Sequence, residues 1–281
     1  MNAMKKIMIA IDAEKPDPQS LAFGCYLAAL TSSELAGIFL ENLPVENKPG
    51  LKFAYGGAYV ETIDPADSQE TEFKLKMCAE NIRQFKTACE EQGVAYRVHR
   101  AQGAPEKELL AESRYADVIV TGPALFASSA LEMPAGPVKD LLAQSECPVM
   151  ITAHHSEPIE NILFAYDGSA SSVFAIKQFT YLFPELRNAE ITVLQADEHA
   201  AFSEEQKGKI YEYLKAHYRC INFKDLHGKA ADELFDYTLR QANACLVMGA
   251  FGRSWLSSLF KASTADLLIK INNLPVFITH R

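Results

Sequence analysis

The chain repeats itself, and the repeat governs every other reading of it. Ala116-Asp117-Val118-Ile119-Val120-Thr121-Gly122 returns as Ala244-Cys245-Leu246-Val247-Met248-Gly249, an apolar run that ends on glycine. Cys147-Pro148-Val149-Met150-Ile151-Thr152 returns as Leu274-Pro275-Val276-Phe277-Ile278-Thr279. The interval is the same both times, 127 residues (249 − 122 = 275 − 148). Gly103 to Leu109 is echoed by Gly228 to Leu234, and Ile7 to Asp12 by Ile162 to Asp167 at a larger offset. The N-terminal copy therefore carries extra residues, placed at Leu43–Ser68, where Pro, Gly and Asn are dense. A repeat this long implies a duplicated domain rather than a solenoid. The expected domains are 1–153 and 160–281, joined by a linker that holds His154-His155. With no third ligand nearby in the sequence, that pair reads as solvated.

Within each copy, short apolar runs alternate with amphipathic stretches. In the second, strands are expected at 161–166, 190–195, 218–223, 244–248 and 275–279. Helices are expected at 171–183, 204–217, 231–241 and 263–271. Apolar strands between amphipathic helices indicate a parallel sheet covered on both faces. Right-handed crossovers then favour a doubly wound arrangement. The fold class expected is α/β: two tandem doubly wound domains, each a five-stranded parallel sheet in flavodoxin-like order. The last strands, 148–152 and 275–279, are apolar edges that can pair with each other and make an internal pseudo-dimer. A homodimer is the intermolecular version of the same contact.

Hydrophobic residues make up 48% of 281 positions, enough for a core in each half. A formal charge of −9 without a basic tract argues against a nucleic-acid partner. No run reaches membrane-span length, and the N-terminal segment lacks a signal-peptide pattern. The six cysteines are scattered without a CxxC motif, so they read as reduced core residues of a cytoplasmic protein.

The chemistry concentrates in Gly249–Lys270, after the fourth strand of the second copy. Gly249 and Gly252 allow tight bends and close approach to the backbone. Ser263-Thr264 stands where it caps the next helix. Free N–H groups at a helix start attract anions, and Arg253 adds positive charge. On spacing alone, a plain strand-to-helix connection competes with a phosphate cradle.

These residues resemble the universal stress protein family. Its nucleotide-binding members carry Gly-x-x-Gly, nine residues, then Gly-Ser or Gly-Thr after the fourth strand. Gly249 and Gly252 match, Ala262 replaces the third glycine, and Ser263 and Thr264 supply the hydroxyls. The opening strand, Asn161 to Tyr166, runs into Asp167-Gly168-Ser169 as the family's does. The resemblance implies an ATP or related adenine-nucleotide site in the second copy, with Mg2+ accompanying the phosphates. Asp167 would bind the adenosine moiety. The backbone of Ala165 and the side chain of Met248 would line the base, with Tyr166 beside them in the site, and Gly249, Gly252, Arg253, Ala262, Ser263 and Thr264 would serve the ribose and phosphates. For Met248 taken alone, core packing is the competing reading, and for Asp167 an Asx-type cap.

The first copy departs from this pattern. Ala13 follows Asp12, Leu125 stands at the position of Gly252, and Pro137 stands where the phosphate hydroxyl belongs. Proline also removes an N–H donor. That half reads as a structural or regulatory copy, and the 43–68 insertion as a surface loop. A stress-response or regulatory role follows from the resemblance. A tandem scaffold acting through an unidentified protein partner is the alternative. No nucleophile–base constellation and no Walker motif is present, so any ATP hydrolysis is expected to be slow.

Overall fold

A computed structural model describes residues 5–41, 48–54, 57–63, 69–101, 104–125, 136–153, 158–197, 203–249 and 274–279. In the first half these form β1 (Lys6–Asp12), α1 (Pro18–Leu30), β2 (Glu34–Leu40), β3 (Lys48–Ala54), β4 (Gly57–Ile63) and α2 (Gln69–Glu91). There follow β5 (Tyr96–Ala101), α3 (Pro105–Ser113), β6 (Val118–Thr121), α4 (Gly136–Gln144) and β7 (Val149–Ile151). The second half holds β8 (Asn161–Ala165), α5 (Ala170–Leu182), a 3₁₀ turn (Pro184–Leu186), β9 (Glu190–Asp197) and α6 (Glu204–Leu214). It closes with β10 (Cys220–His227), α7 (Ala230–Thr238), β11 (Ala244–Gly249) and β12 (Val276–Thr279).

Ten strands form one sheet in the order β10-β9-β8-β11-β12-β7-β6-β1-β2-β5. Every pairing in it is parallel except β12 with β7. The fold is thus α/β with doubly wound parallel strands, as the alternation of runs predicts. One detail differs. Numbered within its own half, each set of five reads 3-2-1-4-5, whereas flavodoxin order is 2-1-3-4-5. Sequence periodicity identifies strands but does not rank neighbours. The order seen here puts the fourth strand, not the third, beside the first.

The central strands are buried on both faces, which explains their unbroken apolar sequence. In β1, Ile7, Ile9 and Ile11 join one core layer while Met8 and Ala10 join the other. The first layer is completed by residues of α1, α2, α5 and α6, among them Phe23, Phe85, Phe179 and Leu214. The second is completed from α3, α4 and α7 by Leu109, Leu141 and Leu234. Both layers run through both halves.

The join between halves is the antiparallel pair β7–β12, with Ile151 opposite Val276, Met150 opposite Phe277 and Val149 opposite Ile278. This is the contact anticipated between the two last strands. All six side chains are buried, Ile278 the most exposed at 5%. Two polar links flank the seam. Lys5 Nζ lies 3.1 Å from Glu185 in the 3₁₀ turn. The Ile159 N–H donates to Tyr26 Oη of α1 at 3.0 Å.

Two local expectations need correction. The insertion is not plain loop: β3 and β4 pair antiparallel, from Lys48 opposite Ile63 to Ala54 opposite Gly57, as a separate two-stranded sheet. The signal was in the sequence, since Phe53, Tyr59, Val60, Thr62 and Ile63 flank Gly56-Gly57, a hairpin pattern. The strand expected at 218–223 is instead Cys220–His227. Tyr218 belongs to the turn before it, where its buried hydroxyl donates to Thr180 Oγ1 at 3.1 Å. The strand itself is a sheet edge whose exposure alternates residue by residue, so its apolar signal is diluted. The six cysteines are free, and all but Cys220 are buried. His154 and His155 lie outside the described residues.

Candidate functional site

In an open α/β sheet, ligands bind beyond the carboxyl ends of the strands where strand order reverses. The reversal falls between β8 and β11 in the second half and between β1 and β6 in the first. Two equivalent crevices result, each bordered by the turn after a first strand and by a glycine that ends a fourth.

In the second half, β8 pairs with β11 from Asn161 opposite Ala244 to Phe164 opposite Val247. This register brings Ala165, Tyr166 and Asp167 to the same end of the sheet as Met248 and Gly249. Asp167 is exposed, and its Oδ1 accepts the Ser169 N–H at 2.9 Å. The residue between them, Gly168, has φ +73°, the left-handed bend that glycine tolerates best. Ser169 then caps α5, its Oγ accepting the Ser172 N–H at 3.1 Å. Asp167 therefore forms an Asx turn just ahead of the helix cap. Its carboxylate stays at the mouth of the crevice.

The neighbouring residues are placed differently from what base contact requires of their side chains. Met248 is 2% exposed and packs in the second core layer. Tyr166 is 7% exposed and packs in the first, while its N–H donates to Leu194 O at 2.9 Å. Burial also holds the Tyr166 phenol above its ordinary pKa. Gly249 has a packing explanation that the sequence did not suggest. A Cβ there would run into Ser171 Oγ, and would stand 2.5 Å from the carbonyl oxygen of Ser171 and 2.6 Å from its carbonyl carbon. Glycine at 249 lets the first turn of α5 close onto the end of β11. The missing signal was Ser171 itself, a small residue in the first turn of a helix that must cross this strand end.

In the first half, Asp12 Oδ1 accepts two N–H groups, from Glu14 at 2.8 Å and Lys15 at 3.0 Å. Burial outweighs these bonds and raises the pKa of the Asp12 carboxyl above its ordinary 3.8. Asp17 caps α1 ahead of Pro18, its Oδ1 accepting the Gln19 N–H at 3.0 Å. Its Oδ2 accepts the Ser20 hydroxyl at 2.6 Å, and Ser20 Oγ lies 2.7 Å from Thr152 Oγ1 at the end of β7. A cavity of about 60 Å³ opens here, walled by Ile9–Asp12, Lys15, Asp17, Ser20, Gly122, Ala124 and Leu125. Leu125, at the position matching Gly252, is 7% exposed and forms part of that wall. Pro137 is the second residue of α4, in a first turn where its missing N–H breaks no helical bond.

Of the predicted site residues, Ala165, Tyr166, Asp167, Met248 and Gly249 lie at the same end of the sheet, and of these only Asp167 is exposed. Gly252, Arg253, Ala262, Ser263 and Thr264 lie outside the described residues, and so does the helix expected at 263–271. Among the described residues no cluster of three His, Cys, Asp or Glu side chains could hold a metal ion. Nor is any helix there long and apolar enough to cross a membrane.

No family profile and no curated protein matches this sequence. Solved structures do match its fold. A universal stress protein from Archaeoglobus fulgidus DSM 4304 superposes over 99% of this chain and 97% of its own, with TM-score 0.71 and 15% identity. A putative universal stress protein from Pseudomonas aeruginosa UCBPP-PA14 covers 99% and 94%, with TM-score 0.57 and 15% identity. A functionally unknown protein from Pseudomonas aeruginosa PAO1 covers 99% and 93%, with TM-score 0.57 and 13% identity. Over its full length, the chain has the fold of universal stress proteins.

Proposed function

We propose that the chain is a tandem universal stress protein, with domains at 1–153 and 160–281, that binds ATP or a related adenine nucleotide in its second half. The observation that carries this reading is the β8–β11 pairing. It sets an exposed carboxylate, Asp167, against the start of the Gly-x-x-Gly segment at a strand-order reversal. Asp167 accepts hydrogen bonds from the hydroxyls of the ribose. Ala165 and Met248 offer main-chain groups to the base, since the Met248 side chain is buried in the core. Arg253, Ser263 and Thr264 supply donors to the phosphates, and Mg2+ enters with the nucleotide to offset its charge. The role of Gly249 in this reading is to seat α5, and the close approach to phosphate falls to Gly252. The protein acts in the cytoplasm as a regulator, with hydrolysis slow or absent.

The test is titration calorimetry of the purified chain with a non-hydrolysable ATP analogue, alongside mass spectrometry for a co-purified nucleotide. The expected result is one site per chain. Asp167→Ala weakens it, and Ser263→Ala with Thr264→Ala weakens it at least about tenfold, the worth of one hydrogen bond to a charged group. Two equal sites overturn the asymmetry. No binding at millimolar nucleotide overturns the reading itself. It then favours a scaffold, the second reading, which the burial of Met248 and the packing role of Gly249 support.

A further inference from the structure

Cys25 on α1 and Cys89 on α2 meet in the first core layer, with Sγ 3.8 Å from Sγ. Both are wholly buried, and Phe23, Leu27 and Phe85 belong to the same layer. No other pair among the described cysteines stands in such contact: Cys78, Cys147 and Cys245 are buried apart, and Cys220 is exposed on the β10 edge. A disulfide requires the sulfurs at about 2.05 Å. The two sulfurs must therefore draw closer for the bond to form.

We propose that Cys25 and Cys89 form a reversible dithiol–disulfide pair that staples α1 to α2 when the protein meets a peroxide. Either S–H can donate in the contact between them, so either sulfur can attack first. The attacking thiolate displaces hydroxide from hydrogen peroxide, the O–O bond breaks, and a sulfenic acid forms. The other sulfur then attacks it, the S–O bond breaks, and water leaves. In sum, two thiols and one peroxide give one disulfide and two waters.

Zero exposure sets the rate. Oxidant reaches the pair only when α2 opens locally, so the pair resists brief exposure and responds to sustained exposure. The site acted on is defined by what else α2 holds. Asn81 Nδ2 donates to Ala13 O at 2.8 Å, and Lys74 pairs with Glu14 at 3.2 Å. Both contacts grip the turn after β1 beside Asp12. Stapling α2 down therefore steadies the turn between Asp12 and Lys15, two residues that line the first-half cavity.

The experiment uses the full chain carrying Cys220→Ser, which removes the exposed thiol. The folded protein is treated with hydrogen peroxide, alkylated, digested without reduction and mapped by mass spectrometry. The expected result is a peptide linking Cys25 to Cys89, with two thiols lost and three retained. The melting temperature rises by several degrees, and dithiothreitol reverses both changes. Adding Cys89→Ala abolishes the link and leaves Cys25 as a sulfenic acid that a dimedone probe traps. Absence of the linked peptide, or its appearance only in urea, overturns the proposal. So does a fall in melting temperature when the link forms. If the alanine variant does not fold, mapping of the Cys220→Ser chain decides alone.

Discussion

The two crevices occupy equivalent places in the sheet but are closed by different atoms. At Gly122 the space a Cβ would need is held by side chains, Asp17 Oδ2 and Ser20 Oγ, each at 2.7 Å. At Gly249 it is held by Ser171, by its hydroxyl and by its main chain as well. Side chains can swing aside, whereas helix backbone cannot move without the helix. A duplicated glycine thus serves two purposes. One half uses it to house a polar network and a small cavity, and the other uses it to pack a helix against a strand.

The comparison breaks most visibly on substitution. Overpacking costs about 1–3 kcal/mol, and backbone contact belongs at the top of that range. Gly249→Ala is expected to cost about 3 kcal/mol and Gly122→Ala about 1 kcal/mol, read from denaturant midpoints at a common slope. Equal losses would erase the distinction between the two glycines.

The caps come next. Asp17→Ala removes both the Gln19 and the Ser20 bond, so a loss near the 2 kcal/mol limit for caps is expected. Ser169→Ala removes the cap bond to the Ser172 N–H and should cost about 1 kcal/mol. Thermal unfolding of the two variants against the parent measures the gap. The reverse order would mean that the Asp17–Ser20–Thr152 network adds little.

The smallest effect is a pH dependence. Burial raises the Asp12 pKa in the folded state, so folding disfavours its ionised form. The stability this residue contributes is full below about 3.8 and is lost as pH rises through the higher folded value. Asp12→Asn keeps the acceptor for Glu14 and Lys15 but cannot ionise. Relative to this variant, the wild type should be most favoured at acid pH and lose ground toward neutrality. A constant difference across the titration would exclude the carboxyl as its source.

What could be read from the sequence follows burial. β1, β6, β8 and β11 are buried on both faces, and their apolar runs named them. β10, at the sheet edge, alternates in exposure, and its apolar pattern starts two residues ahead of the strand itself. The order of strands was not legible, because nothing in a repeat states which strand lies next to which. The acidic turn residues Asp12 and Asp167 are legible as strand ends, and an Asx turn is one reading that the position of Asp167 offers. The packing role of Gly249 was not, since it depends on how closely α5 crosses β11. The meeting of Cys25 and Cys89 depends in the same way on how two helices share one face.

The seam between β7 and β12 has a consequence for how the chain is made. Val149–Ile151 leaves the ribosome complete, but its partner Val276–Thr279 is about 127 residues behind it. At about 5–20 residues per second, that delay is roughly 6–25 s. During it, the newborn first half presents a buried-type apolar edge, Val149-Met150-Ile151, with no strand against it. Such an edge pairs readily with any other strand. The nascent chain therefore passes through a period in which its own second half competes with neighbouring chains and chaperones for one short strand.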